Sequence, residues 1–368
     1  MRHLFLFLLF VCLFSPPSRA ADSTIRVVIA TDGRAGFGAN LVADYKNMER
    51  LFKENVPPSQ LDLILMKTDE ITPDKILETV KQVEVASGDT LVFYYSGHAA
   101  NDVGNGGHYF QLKDNKGQAT ELQRRTLLAV LKDKKARLTV LLTDCCNIDQ
   151  KSSGENKEAR RTAESPNKIS PIFQALFIEP EGTVDVTSSK RGEASFVDST
   201  AKKRGSCFTW PLVELFEKHR DNETATWPKF IAELKDDVQK AFLESWPEGY
   251  KFDPPLNGIH VQKTQTVETY GSLPGEVTQS PATPRGIRFG IRAVTHHGGV
   301  RVTEVLPNGP GAKAGFEIGD LIIEINGTPI RNEQDYSKAV DDSPKTMKAK
   351  VVNIHDGQTL NVTFELGY

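Results

Sequence analysis

The sequence predicts an α/β protein: a mainly parallel sheet with helices on both faces, followed by a small β-rich domain. Three observations carry that expectation. From residue 24 to residue 242, apolar β-branched runs alternate with segments of helical periodicity, the pattern of strands joined by crossover helices. Two of the runs, Leu91-Val-Phe-Tyr-Tyr-Ser-Gly97 and Leu138-Thr-Val-Leu-Leu-Thr-Asp144, are apolar on both alternating faces, which suits strands covered on two sides. Beyond a stretch rich in Thr, Ser, Gln, Pro and Gly at 262–285, the chain turns to short alternating strands with Asn326-Gly327 and Asp356-Gly357 turns.

Taken in order, 24–31 reads as the first strand. The Gly-rich loop 32–38 lacks a Lys-Ser/Thr ending, which excludes a P-loop. Leu41, Tyr45, Met48, Leu51 and Phe52 fall at helical spacing and predict a helix over 41–56. A strand follows at 61–66, then a helix capped by Thr72 with Pro73 at its first position. The turn Ser87-Gly88-Asp89 leads into the strand that ends at His98. A glycine-rich loop at 101–107 and a helix at 122–131 separate it from the strand that ends at Asp144-Cys145-Cys146. Residues 149–168 are polar throughout and predict a mobile loop. The loop carries the basic residues Lys151, Lys157, Arg160 and Arg161. A strand at 182–189 and helices at 210–218 and 227–242 follow; in the last part, a hairpin at 322–328 precedes a helix at 332–340.

A chain of 368 residues, 39% hydrophobic and 25% charged, is long enough for two or three domains with a sizeable core. A net charge of −3 leaves no electrostatic footprint for nucleic acid. Arg2 and His3, the apolar run from Leu4 to Phe14 and Ser18-Arg19-Ala20 read as a cleaved export signal over 1–20, too short to span a bilayer. Export to the periplasm or the medium follows, with no membrane span in the mature chain. Cys145, Cys146 and Cys207 remain after cleavage, and three cysteines are no disulfide framework. An unpaired thiol in an exported chain signals reactivity; for Cys207 the plainer alternative is a small buried hydrophobe.

In parallel sheets, functional groups collect beyond the carboxyl ends of strands. If the two doubly apolar strands are neighbours, His98 and a cysteine share one edge, the arrangement a thiol nucleophile and its base require. Tyr95-Ser96-Gly97-His98 and Asp144-Cys145-Cys146 together resemble the two catalytic motifs of caspase-like cysteine peptidases of peptidase family C14, the metacaspase branch above all. His98 stands about 50 residues before Cys146, as the caspase-type separation requires. Thr187-Ser-Ser-Lys-Arg-Gly-Glu-Ala-Ser195 and Gly205-Ser-Cys-Phe208-Thr209 resemble the family's later block, so the likeness runs over most of 25–272. It implies a hydrolase working in proteolysis, with Cys146 as nucleophile, His98 as base, and the N–H groups of Ala99 and Cys146 as oxyanion hole. Asp44, Ser96 and Asp144 match substrate-binding positions that select Arg or Lys at P1. Ala99 replaces the family's Gly after the His, Asn147-Ile148-Asp149 replaces His-Ser-Gly after the Cys, and Leu41 replaces its first-helix Cys. Asp102, Asp114 and Glu121 are well separated, so no calcium cluster, no other metal and no cofactor is expected.

Gly299-Val-Arg-Val-Thr-Glu-Val-Leu-Pro307 through Gly315, and Gly319-Asp320 through Gly327, resemble a PDZ domain of the kind found on exported bacterial proteases. The resemblance implies that Phe289, Gly290 and Ile291 belong to a loop that captures C-terminal carboxylates while the peptide adds as a strand. His296 and His297 are expected in solvent, not on a metal. The expected organisation is a signal at 1–20, a caspase-like domain at 22–272, a linker at 273–285 and a PDZ domain at 286–368. Two function classes follow: an endopeptidase acting on protein or peptide substrates, with no nucleic-acid partner, or a catalytically inactive scaffold that binds peptides. Labelling of Cys146 by a thiol-reactive peptide ketone separates them.

Overall fold

The computed structural model describes residues 23–32, 38–66, 71–102, 107–147, 166–200, 202, 204–256, 259–276, 289–296, 298–306, 309–354 and 357–366. The expected signal, residues 149–165 of the expected loop, Asp356 of the second turn, His297 and the linker from 277 onward lie outside them.

Strands and helices alternate as their periodicities require. The order is β1 (Ile25–Thr31), α1 (Gly38–Asn55), β2 (Leu61–Met66), α2 (Pro73–Gln82) and β3 (Thr90–Gly97). An excursion of three short strands follows, β4 (Ala99–Asp102), β5 (Gly107–Lys113) and β6 (Ala119–Gln123). Then come α3 (Arg124–Asp133), β7 (Leu138–Cys145), α4 (Pro171–Phe173), β8 (Gly182–Thr187), α5 (Thr209–Lys218) and α6 (Trp227–Ser245). A hairpin of β9 (Tyr250–Leu256) and β10 (Ile259–Gln262) precedes β11 (Glu268–Thr269). Among the described residues the central sheet has the order β11-β8-β7-β3-β1-β2. Its strands are parallel except β11, which runs against β8.

Alternation along the strands feeds two cores. Val27 and Ile29 enter the core packed by α1, α5 and α6, with Phe52, Phe173, Phe216 and Trp227. Val28 and Ala30 enter the opposite core, with Ile76 and Val80 of α2 and Leu127 and Leu131 of α3. Trp227 is fully buried and its Nε1 donates to the Leu176 carbonyl at 2.7 Å. Truncating such a residue costs about 3–5 kcal/mol. Thr72 caps α2 by accepting from Lys75 N, with Pro73 following it, as the sequence predicts.

Two expectations need correction. The glycine-rich segment 101–107 is not simply a loop: Asn101 and Asp102 belong to β4 and Gly107 begins β5, in a small antiparallel sheet of β4, β5 and β6. Residues 262–270 have the Thr-, Ser- and Gln-rich composition that alone suggests a linker beginning at 262, yet they do not behave as one. They close the fold as a strap in which Gln262 and Gln265 are buried and β11 pairs with β8.

The C-terminal module comprises β12 (Ile291–His296), β13 (Gly299–Val305), α7 (Pro310–Lys313), β14 (Leu321–Ile325), β15 (Thr328–Pro329), α8 (Glu333–Asp341), β16 (Thr346–Val352) and β17 (Thr359–Glu365). Asn326 (φ 47) and Gly327 (φ 82) form the expected hairpin turn, which requires left-handed backbone at both positions. Asn332 caps α8 through Asp335 N. Phe289, Phe316, Ile322, Met347 and Phe364 centre its own core. Strand β12 lies at the edge of the sheet.

Candidate active site

The register of the central sheet brings the two motifs together. β3 and β7 pair in parallel from Thr90↔Leu138 to Gly97↔Cys145, so His98 and Cys146 are the next residues off adjacent strand ends. The expected neighbourhood of the two strands is therefore met. Gly97 is needed where it stands: a Cβ there would lie 2.5 Å from the Tyr95 hydroxyl. That hydroxyl donates to the His98 carbonyl at 3.0 Å, and Gln111 N donates to the same oxygen at 3.0 Å. With Gln111 N bonded to His98 O, Ala99 and Phe110 face each other as a non-hydrogen-bonded pair. The Ala99 N–H is thus turned away from β5, the orientation an oxyanion donor needs.

The adjacent cysteines serve opposite faces. Cys145 is buried in the core under α2 and α3, and burial pushes its thiol far up. Cys146 is half-buried against the Phe196 and Phe242 cluster, with Sγ 3.6 Å from the Ser195 carbonyl. Burial, reinforced by the Asp144 charge, pushes the Cys146 thiol up to about 11, so it rests as the thiol.

His108 was not legible as a site residue. It lies on β5, and its Nε2 donates to the Cys146 carbonyl at 3.0 Å and sits 3.6 Å from Cys145 Sγ. A carbonyl only accepts, which fixes the proton on Nε2. Burial first, then the Arg124 charge, lower its pKa to about 3 and keep the ring neutral. His108 therefore holds the backbone of Cys146 in place and offers no positive charge to it.

Asp44, Ser96 and Asp144 converge beneath this edge. Asp44 is fully buried on α1, accepting from Ser206 N at 2.7 Å and Ser96 Oγ at 3.1 Å. Asp144 accepts from Ser206 Oγ, from Thr209 Oγ1 at 2.5 Å and from Ser195 Oγ at 3.1 Å. Ser206 thus bridges the two acids. Gly205 (φ +122) makes the approach possible, since a Cβ there would fall 2.3 Å from Asp44 Oδ1. Burial raises both carboxyls, and the Asp144 charge raises Asp44 further. Among the described residues no Lys or Arg pairs with either acid. A buried pair of acids without a cation attracts one. Ser195, Ser206 and Thr209 lay within a quoted motif but carried no signal of this contact. Cys207 is fully buried against α6, its Sγ 3.8 Å from the Ala241 carbonyl.

In the C-terminal module, Phe289 and Ile291 point into the core and Gly290 adopts φ +73, with a Cβ there 3.3 Å from Gly309 Cα. Phe289 O accepts from Gly311 N and Gly290 O from Leu306 N. His296 departs from its expected place in solvent: its side chain is 17% exposed and its Nε2 lies 3.7 Å from Glu268 Oε1. Among the described residues no group of His, Cys, Asp and Glu could hold a metal ion. No described helix is long and apolar enough to cross a membrane.

Comparison with known proteins places these features in context. A model of the caspase domain matches residues 39–270 and a model of the PDZ domain matches residues 301–351. The structure of caspase-1 from Spodoptera frugiperda aligns with a TM-score of 0.43 at 14% identity, covering 67% of this chain and 87% of that one. A probable periplasmic serine endoprotease, DegP-like, from Pseudomonas putida is 38% identical over 69 residues, 19% of this chain and 14% of its own length. The magnetosome formation protease MamE of Paramagnetospirillum magneticum is 28% identical over 123 residues, 32% of this chain and 17% of its own. The chain thus spans only a small part of the curated relatives it matches.

Proposed function

The chain belongs to the caspase-domain family, and from that premise we propose that it is an exported cysteine endopeptidase that cuts after Arg or Lys. His98 takes the proton of Cys146, and the thiolate attacks the scissile carbonyl carbon. The oxyanion formed rests on the N–H groups of Ala99 and Cys146. The tetrahedral species collapses as the His98 imidazolium gives its proton to the leaving amine, and water activated by His98 then releases the acyl group from Cys146. The P1 cation is held by Asp44 and Asp144, with Ser96 orienting Asp44. This is the metacaspase pattern of specificity.

The observation that carries the reading is the parallel register that ends at Gly97↔Cys145 and leaves His98 beside Cys146 above two buried acids. The C-terminal module recruits substrates or docks the enzyme by adding a C-terminal peptide to β12, with Phe289, Gly290 and Ile291 supplying the carboxylate loop. The N-terminal apolar run and the periplasmic naming of the DegP-like relatives support export to the periplasm or the medium.

The test is cleavage profiling of the chain from Ala21 onward on a peptide library, with Cys146→Ala as control. Cuts after Arg and Lys that vanish in the control are expected. A preference for Asp at P1, or cleavage that survives the substitution, would overturn the reading.

A further inference from the structure

Residues 262–270 carry more buried hydrogen bonds than a connector needs. Gln262 Oε1 accepts from Ala194 N at 2.9 Å and its Nε2 donates to Ala194 O at 3.0 Å. Gln265 Oε1 accepts from Phe196 N at 2.9 Å, while its Nε2 donates to Ser188 O at 3.2 Å and Ser195 Oγ at 3.1 Å. Thr266 donates through N and Oγ1 to Glu193, at 2.7 and 3.1 Å. The strap thereby fixes the loop after β8, whose Ser195 meets both Asp144 and Cys146.

The strap ends at Tyr270, and Tyr270 meets Asn147. Asn147 is fully buried and directly follows Cys146. Its Nδ2 donates to Tyr270 Oη at 3.3 Å and to Ser189 O at 3.3 Å. Its Oδ1 accepts from Asn101 Nδ2 at 2.8 Å, and Asn101 lies on β4, the strand that follows His98. Its backbone N donates to Glu193 O at 3.0 Å, and its O accepts from Gly192 N at 2.9 Å. One side chain thus ties the segment behind the nucleophile to the segment behind the base.

Tyr270 in turn rests on the C-terminal module. Its hydroxyl donates to Glu268 Oε2 at 3.0 Å, and Glu268 Oε1 faces His296 Nε2 at 3.7 Å. The guanidinium of Arg301 lies 5.7 Å from the Tyr270 ring centroid, and that of Arg124 lies 5.0 Å from it. His296 and Arg301 belong to the β12–β13 hairpin, and β12 is the sheet edge to which a peptide would add.

We propose that Asn147 and Tyr270 are positioning residues for Cys146 and His98, and that the β12–β13 hairpin seats Tyr270, so that a peptide on the C-terminal module sets turnover at the peptidase site. The proposal rests on the endopeptidase reading above and adds its control. Coupling of this kind needs a contiguous set of contacts whose arrangement both sites bias, and the chain from β12 through Glu268, Tyr270 and Asn147 to Cys146 is one.

The experiment uses the full chain. It measures kcat and KM on a fluorogenic P1-Arg peptide, the iodoacetamide labelling rate of Cys146 by fragment mass, and Tm. Tyr270→Phe, which removes only the hydroxyl, lowers kcat about tenfold or more with KM held, as a small misplacement of reacting groups does. Tm falls by a few degrees, because the Asn147 amide loses a partner, and kcat is therefore taken per folded molecule. Arg301→Gln lowers kcat less, and the double variant is no worse than Tyr270→Phe alone, because both act through one group. A pentapeptide with a free, apolar C-terminus shifts wild-type kcat by about fivefold or more and leaves Tyr270→Phe unmoved. If the two substitutions add, or if Tyr270→Phe changes Tm while kcat per folded molecule is unchanged, the proposal falls. If wild type cleaves peptides but no variant alters kcat, the proposal falls and the endopeptidase reading stands. If nothing is cleaved while Cys146 labelling still follows the variants, the endopeptidase reading falls and the positioning role stands.

Discussion

Neighbouring residues of a strand face opposite sides, and that rule gives Cys145 and Cys146 different surroundings. Cys145 faces the core under α2 and α3, while Cys146 packs against the Phe196 and Phe242 cluster, one residue beyond the β7 end that pairs with β3. Cys146→Ala is therefore expected to abolish peptide cleavage and Cys145→Ser to leave most of it; the reverse pattern in a simple rate assay would refute the assignment. His98→Ala should match Cys146→Ala in severity, since losses within one catalytic unit do not add. Asp44 gives a second prediction at this scale. Burial and the charge of Asp144 hold its carboxyl well above the usual range. The folded chain therefore keeps a proton that the unfolded chain releases from about pH 4 upward. The stability linked to that proton is present below the unfolded pKa and is lost as pH rises through the folded one. Asp44→Asn, which cannot ionise, should gain Tm relative to wild type as pH rises above about 4, the unfolded carboxylate pKa. A difference in Tm that is flat with pH would show that Asp44 titrates alike in both states.

At the scale of elements, the strap at 262–270 is where composition misleads. Thr, Ser and Gln are what a solvated linker contains, and they are equally what a segment needs to satisfy the backbone of a neighbouring loop. Gln265 is fully buried and serves Phe196 N and Ser188 O. Gln265→Leu would orphan both groups at about 1–3 kcal/mol each, lowering Tm by about 5 °C or more in a domain of this size. An unchanged Tm would show the strap to be dispensable. The doubly buried strands were legible because their apolar runs are dictated by burial alone: every residue of β3, Thr90–Gly97, and of β7, Leu138–Cys145, is buried. The strands β4 and β5 were hidden by Gly104, Gly106 and Gly107, and β9 by Pro254 and Pro255, since such residues usually mark turns. The placement of His98 and Cys146 just past two adjacent strand ends was legible from the apolar runs that end there, and the burial of Asp44 together with Asp144 followed a resemblance on the first helix and at the second strand end. His108 and Tyr270 were not legible, because each reaches this edge only through partners distant in sequence, and the bonds of Asn147 to Asn101 and Tyr270 were hidden for the same reason.

Across the whole molecule, the cores do not merge. The cores that flank the central sheet and the core around Phe289, Phe316 and Phe364 have no residue in common. Contacts such as His296 with Glu268 and Arg301 with Tyr270 join the two parts through polar groups, which couple unfolding only weakly. The smaller part also buries a smaller fraction of its surface, as short domains do. Two unfolding transitions are thus expected, with the C-terminal module melting first. The sequence supplies its own probe: all three tryptophans, Trp210, Trp227 and Trp246, lie in the caspase-domain part, and Trp227 is fully buried there. Tryptophan fluorescence should report only the later transition, while far-UV circular dichroism, which sees the strands of both parts, should begin to change earlier. Non-coincident transitions are the sign of separately unfolding units. A covalent ligand on Cys146 should then raise the fluorescence midpoint and leave the early dichroism step nearly in place. Coincident curves that both rise with that ligand would mean that the strap and the β12–β13 hairpin bind the parts into one cooperative unit.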